Sequence, residues 1–413
     1  MPAMKLPGDG WLLFLTRFAR LFSYGMLAVV LVFYLTGIGL NESQTGLLLT
    51  LTLLGDTAVS LILTTQADRI GRRKMLIAGA ILMAGAGVAF ALTRNFLLLI
   101  VAGTIGVISP SGNEVGPFLS IEQAALSEVV SSQARTGVFA WYALTGALAT
   151  AMGSLFAGFI TESLQRHGTA PTASDRAIVI LYAAMGIVLA FIFGRLSPQS
   201  EARRNRDAPS GIRNLLGIGS SRNVVLKLCG LFALDAFGGG FVVQSFAAYW
   251  FFLRFGVNPA TLGGIFFGAN LFAGISALLA SRLAARIGLI RTMVFTHLPS
   301  NILLILVPLM PTLQLAIAVL LLRFSISQMD VPTRQSYTMA VVAPEERSAA
   351  AGITGVARTT GAAVAPLFAG MLFSRPALIN VPFLLAGGLK IVYDLLLYRA
   401  FIKHQTHEEI HSG

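Results

Sequence analysis

The chain has 413 residues, of which 55% are hydrophobic and only 12% charged, and its mean hydropathy is +0.76. A soluble domain carries about twice that charged fraction, so the composition excludes a soluble fold and leaves a polytopic membrane protein. The net charge of +12 is spread over short loops, which excludes a nucleic-acid-binding face and points to membrane topology and contact with anionic lipid. The single cysteine, Cys229, leaves no disulfide framework and no cysteine metal site, and no other metal site is expected.

The first apolar stretch, Trp11 to Leu35, is too long for the core of a cleavable signal and reads as a spanning helix. About twelve such segments are expected, near residues 11–36, 44–66, 74–93, 96–127, 135–164, 175–196, 223–253, 259–283, 289–310, 312–342, 347–374 and 379–402. The predicted fold class is an all-α integral membrane protein. Between the second and third segments runs Thr64–Lys74, TTQADRIGRRK. Asp68, Arg69, Arg72, Arg73 and Lys74 crowd this loop, and Gly71 supplies the turn. Basic residues are held on the cytoplasmic side during insertion, so the loop is predicted to be cytoplasmic. The other even-numbered loops are also basic, whereas the odd-numbered loops hold little beyond Arg94, Arg166, Arg176, Arg254 and Arg375. Both termini are therefore predicted on the cytoplasmic side. Ser197–Asn223 is polar and basic, with Pro198, Pro209 and Gly211. It reads as a cytoplasmic linker, 197–222, between an N-terminal half, 1–196, and a C-terminal half, 223–413, that ends in a short polar tail.

Charges inside spanning segments are costly and face a cavity or a partner. The first segment holds Arg17 and Arg20, the second Asp56, the fourth Glu114 and Glu122, and the seventh Asp235. The tenth holds Arg323, Asp330 and Arg334, the eleventh Arg358, and the twelfth Lys390 and Asp394. At about 1.5 Å per residue, Arg20, Asp56, Asp235 and Arg323 fall near mid-membrane. Arg17 lies one turn from Arg20 on the same face. The fourth segment cannot be a regular helix, because Pro110 and Pro117 lack the amide donor. The freed carbonyls with Asn113 and Glu114 form either a polar site or a packing kink.

The two halves repeat. Gly39, Asn41 and Gly46 recur as Gly256, Asn258 and Gly263, and Arg69-Ile70-Gly71 as Arg286-Ile287-Gly288, at an offset of 217 (256 − 39). Gln123, Val129-Val130 and Arg135 recur as Gln335, Val341-Val342 and Arg347, and Leu155–Gly158 as Leu367–Gly370, at an offset of 212 (335 − 123). Asp68 aligns with Ala285, so the loop chemistry is stronger in the first copy.

Asp68, Arg69, Gly71, Arg72 and Arg73 match the loop between the second and third helices of the major facilitator superfamily, Gly-x-x-x-Asp-Arg-x-Gly-Arg-Arg, with Thr64 in place of the first Gly. The six-helix repeat resembles the two parallel halves of that superfamily. The resemblance implies a secondary active transporter that works by alternating access, with segments one, four, seven and ten around the cavity. Arg17, Arg20, Asn113, Glu114, Asp235, Arg323 and Asp330, with Asp56, become the substrate and coupling candidates. Proton coupling would run through Asp56, Glu114 or Asp235, and no cofactor is expected beyond a proton or other ion gradient. Arginines in the first segment favour an anionic or zwitterionic solute, which Arg20 and Arg323 would hold from opposite halves. The fourth segment lacks the arginine-centred motif common in proton-coupled members. The fifth lacks the Gly-Pro-x-x-Gly-Gly run typical of drug–proton antiporters. A drug exporter, a facilitative uniporter and a transporter-like sensor stand as alternatives.

Gating is assigned to Asp68, Arg69, Gly71, Arg72 and Arg73, and to Glu122, Arg334 and Arg347. Glu122 and Arg334 are repeat-equivalent (334 − 122 = 212) and opposite in charge, so they are expected to close on each other. Asp68 is expected to latch the start of the eleventh segment at Pro344–Arg347. No Walker loop is present and nothing points to an enzyme. His297 lies alone in the ninth segment and reads as a satisfied polar residue. The expected setting is the inner (plasma) membrane, as a multi-pass monomer with a small-molecule substrate and no nucleic acid.

Overall fold

The computed structural model describes residues 6–114, 116–130, 132–201, 221–343 and 346–402. Among them the regular structure is helical throughout: α1 (Gly8–Gly37), α2 (Glu42–Ile70), α3 (Arg72–Leu92), α4 (Phe96–Ile105), α5 (Phe118–Val129), α6 (Ser132–Arg166), α7 (Pro171–Phe193), α8 (Arg222–Gly240), α9 (Gln244–Phe255), α10 (Pro259–Ile287), α11 (Leu289–Leu306), α12 (Leu313–Ser327), α13 (Asp330–Ala340), α14 (Arg347–Phe373) and α15 (Val381–Phe401), with short 3₁₀ turns between some of them. Eleven helices among the described residues are long and apolar enough to cross a membrane, counting α8–α9 and α12–α13 as one each. Large apolar side chains stand outward on them; Leu92, Leu97, Phe159 and Phe191 are 64% or more exposed. Water would penalise such a surface and lipid does not.

The fourth expected segment is the exception to a one-helix crossing. It is two short helices, α4 of 10 residues and α5 of 12. Pro110 and Pro117 withhold donors, and Gly112 and Gly116 take φ of 68° and 80°, a region closed to most side chains. The seventh and tenth segments break as well, after Gly240 and after Ser327. The repeat is visible in the backbone. Gly39 and Gly256 both have positive φ, 109° and 63°, as do Gly71 and Gly288, 122° and 84°, each pair 217 apart (288 − 71). The second helices of the broken fourth and tenth segments, α5 and α13, start at Phe118 and Asp330, 212 apart (330 − 118).

The described residues fall into two compact units. One lies within Met1–Ala208 and Gln244–Phe267, the other within Pro209–Val243 and Gly268–Gly413. The expected C-terminal half therefore lends 244–267 to the first unit, and the contacts explain why. Ser245 donates to the Pro110 carbonyl from both Oγ (2.6 Å) and its amide (3.1 Å), a carbonyl that the break in the fourth segment leaves without a helical donor. Tyr249 donates to Glu42 at 2.8 Å, and both Tyr249 and Phe252 set their rings edge-on to Phe33. In the first unit α1 is the buried axis. A methyl on Gly153 would sit 2.0 Å from the Phe22 carbonyl oxygen, so glycine is what lets the backbones of α1 and α6 touch. In the second unit Val225, Phe232, Met293, Tyr337, Tyr393 and Phe401 form a core shared by α8, α11, α13 and α15.

Most of the expected linker, 202–220, lies outside the described residues. Its start is tied down within the first unit. Ser197 Oγ donates to Asp9 at 2.7 Å, and Glu201 accepts from the amides of Arg72 (2.6 Å) and Arg73 (3.2 Å) at the N-terminus of α3. A carboxylate there satisfies helix-end donors and complements the dipole.

Candidate functional site

Each unit holds one buried charge cluster. In the first, α1 carries Arg17 and Arg20 one turn apart, and the break in the fourth segment brings Glu114 to both. Arg17 Nη1 lies 2.8 Å from Glu114 Oε2, and Arg20 Nη2 lies 2.7 Å from Glu114 Oε1. Arg20 Nη2 also lies 2.8 Å from Glu122 on α5. Thr16 and Tyr142 donate their hydroxyls to Glu122, and Arg17 Nε donates to the Tyr142 carbonyl at 2.7 Å. The two cations also stack on rings: the Arg17 guanidinium lies 4.4 Å from the Tyr142 centroid and that of Arg20 4.6 Å from Phe118. Two arginines and two glutamates balance, which is what makes their burial tolerable. Arg20, a substrate and coupling candidate from the sequence, and Glu122 are both sealed at 0% exposure. Only Arg17 and Glu114 keep side chains partly open, at 10% and 16%.

Asp56 on α2 behaves differently. It is buried, its hydrogen-bonding neighbour is the Gly116 amide in the broken stretch, and its Oδ1 has no partner. Among the described residues it makes no ion pair, whereas Glu114 and Asp235 each make several. Asn113 is exposed beside the break.

In the second unit Asp235 on α8 is the hub. Lys390 Nζ on α15 lies 2.6 Å from its Oδ1, Arg334 Nη1 on α13 3.3 Å from its Oδ2, and His297 Nε2 on α11 3.7 Å from its Oδ1. Arg334 is also held by Asp330 at 2.7 Å. His297 Nδ1 meets Asp394 at 2.8 Å, and Asn301 donates to the other Asp394 oxygen at 2.9 Å. Arg323 makes no ion pair among the described residues; its guanidinium lies 4.8 Å from the Phe324 ring. His297, read from the sequence as a satisfied polar residue, and Asn301, which that reading did not name, belong to this cluster. The available signal was spacing: His297/Asn301 and Lys390/Asp394 are both i, i+4 pairs on one helix face.

The expected gate residues are placed as follows. Asp68 pairs with Arg72 at 2.8 Å, Arg72 also reaches Glu128 at 3.6 Å, and Arg73 donates to the Leu196 carbonyl at 3.3 Å. Arg69 is exposed, and Gly71 joins α2 to α3 in its positive-φ conformation. Arg347 is half-buried with its Nε unpartnered; Pro344 and Glu345 lie outside the described residues. Glu122 and Arg334, expected to meet each other, each have partners inside their own unit. The reason is in the first helix of each half: α1 offers Arg20 to Glu122, and α8 offers Asp235 to Arg334. The same pairing recurs with its polarity reversed.

Residues 13–366 match the Major Facilitator Superfamily. The chain belongs to that superfamily. It is a membrane transporter of the solute-carrier kind, not an enzyme. A protein of Saccharomyces cerevisiae described as uncharacterized membrane protein YJR124C is 31% identical over 420 residues, covering 95% of this chain and 93% of its own. Among solved structures, the nucleoside transporter NupG superposes with a TM-score of 0.73 at 12% identity, over 97% of this chain and 100% of that one. A bacterial homolog of the human lysosomal transporter Spinster gives 0.69 at 15%, over 95% and 94%. A D-xylose–proton symporter gives 0.69 at 14%, over 94% and 97%. At these identities the likeness shows the fold alone.

Proposed function

We propose that the protein is a proton-coupled secondary transporter of a small zwitterionic or anionic solute, working as a monomer in the inner (plasma) membrane. It would cross the membrane twelve times, the α4–α5 stretch supplying the crossing that no single helix makes, with both termini cytoplasmic. The observation that carries the coupling assignment is the contrast among the three candidate acids. A carboxylate between cations stays ionised, while one buried without a cation favours its neutral form and changes charge when it meets water. Of Asp56, Glu114 and Asp235, only Asp56 is of the second kind among the described residues. The solute assignment rests on Arg17 and Glu114, an ion pair with both partners partly open. Opened by a ligand, it offers a planar donor fork for a carboxylate and an acceptor for an ammonium group.

A thermal-shift screen of the purified protein against carboxylates, amino acids, nucleosides and sugars tests the solute class, because a specific ligand raises stability by mass action. A zwitterion or anion is the expected hit, and binding confined to lipophilic cations refutes it. In proteoliposomes, Asp56→Asn is expected to abolish accumulation driven by a pH gradient while exchange survives. Normal accumulation by that variant refutes the role of Asp56.

A further inference from the structure

His297 is a buried titratable group that the transport scheme above does not use. Both of its ring nitrogens face carboxylates: Nδ1 lies 2.8 Å from Asp394 Oδ1, and Nε2 lies 3.7 Å from Asp235 Oδ1. A neutral imidazole has one N–H. With the proton on Nδ1 the ring donates to Asp394 and leaves an unprotonated Nε2 3.7 Å from Asp235; with it on Nε2, Nδ1 has the Asn301 amide at 3.2 Å but also faces the Asp394 carboxylate at 2.8 Å. A doubly protonated ring donates to Asp394 and sets a cationic N–H 3.7 Å from Asp235, an ion-pair distance and not a hydrogen bond.

The surrounding charges leave room for that proton. The elements packed around His297 supply Asp235 from α8, Asp330, Arg334 and Tyr337 from α13, and Lys390, Tyr393 and Asp394 from α15. Its own helix supplies Asn301, and Arg323 on α12 acts on Asp235 and Asp330 at longer range. The direct ion pairs with fixed cations take up Asp235 and Asp330, through Arg334 and Lys390, and leave Asp394 with His297 as its one ion-pair partner among the described residues. A second proton on His297 gives Asp394 a cationic partner.

We propose that His297 is a proton-binding site bridging Asp394 and Asp235, and that its occupancy sets how firmly Lys390 is held. The two compete for one atom, since Lys390 Nζ sits 2.6 Å from the same Asp235 Oδ1. The Lys390 stem lies against the end of α8: a methyl on Gly238 would be 3.1 Å from its Cγ, and one on Gly239 3.4 Å from its Cε. That is where the helix stops, at Gly240, before the chain leaves the second unit. A proton at His297 draws Asp235 toward the imidazolium, loosens Lys390, and changes the packing against the Gly238–Gly240 break.

The test uses the full-length protein with ¹⁵N-labelled histidine, and reads the proton without a transport substrate. Of the five histidines, His297 is assigned by loss of its signal in His297→Gln. The expected result is that both ring nitrogens of His297 carry a proton in the parent, and only one does in Asp394→Asn or Asp235→Asn. Hydrogen exchange of the 238–244 stretch is expected to be about twofold or more faster in the parent than in His297→Gln. A ring with a single proton in the parent, or one that both acid variants leave doubly protonated, overturns the site. Equal exchange in parent and variant overturns the link to the break. If His297→Gln does not fold, His297→Asn serves for both the assignment and the exchange comparison. The His297 readout stands apart from Asp56, so failure of either proposal leaves the other intact.

Discussion

Neutralising Asp56 and neutralising Asp235 should have opposite profiles. Asp235→Asn removes the carboxylate from Lys390 at 2.6 Å and Arg334 at 3.3 Å. Arg334 keeps Asp330, but Lys390 has no other ion-pair partner among the described residues and is only 11% exposed at its side chain. Stranding a buried cation costs about 3–5 kcal/mol. Against a total stability of about 5–15 kcal/mol, that is a third or more at mid-range. Asp56→Asn keeps the shape, strands no cation and retains an acceptor for the Gly116 amide. Its cost should be within about 1 kcal/mol. At about 2 °C per kcal/mol, the unfolding midpoint should fall by roughly 6–10 °C for Asp235→Asn and by about 2 °C or less for Asp56→Asn. Tryptophan-fluorescence melts in one detergent read both. Adding Lys390→Met to Asp235→Asn should recover part of the loss. Equal destabilisation by the two single changes would mean that Asp56 has a charged partner, and the coupling argument would fail.

Three further outcomes are expected. Gly153→Ala places a methyl 2.0 Å from a backbone oxygen that cannot move aside, so monodisperse protein on gel filtration should be lost, whereas Gly137→Ala, with open space around it, should be silent. Glu122→Arg sets a like charge on Arg20, and Arg334→Glu sets one on Asp235 and Asp330; the double swap should lose the sum of the two in melting experiments, and rescue by the swap would instead mean that the two residues pair with each other. Arg17→Lys gives up the Nε bond to Tyr142 and the forked geometry at Glu114; ligand affinity measured by calorimetry should fall about tenfold or more while the melt shifts little, and an unchanged affinity would remove Arg17 from the site.

Much of the fold was legible because lipid imposes simple rules. Runs of about 20 apolar residues gave nearly every crossing. Pro110 and Pro117 gave the broken one, since a missing donor is a local fact. The repeat was legible because Gly71 and Gly288 need a conformation that few other residues adopt. Partner choice was not legible. Nothing in the sequence says that Glu122 turns to α1, because that depends on the rotation of two helices about their axes. His297 looked solitary for the same reason: its partners Asp394 and Asp235 come from residues 97 and 62 positions away (394 − 297; 297 − 235). That residues 244–267 pack with the first unit was not legible from chain order, because it depends on Ser245 donating to the Pro110 carbonyl.

The reversed polarity of the two clusters explains what the opposite charges at repeat-equivalent positions do. In the first half the first helix is cationic and the second part of the broken segment anionic, Arg20 to Glu122; in the second half the order is inverted, Asp235 to Arg334. Either order joins the same two elements with one buried, hydrogen-bonded pair, and a buried pair is costly to break. Each unit therefore fastens its own first helix to its own broken segment without needing the other unit's charges. In the scheme proposed above, the groups that answer a proton or a solute are others: Asp56, which makes no ion pair among the described residues, and the partly open Arg17–Glu114 pair. A transporter needs that separation: its fixed pairs must survive every cycle, while its working charges must exchange partners within one.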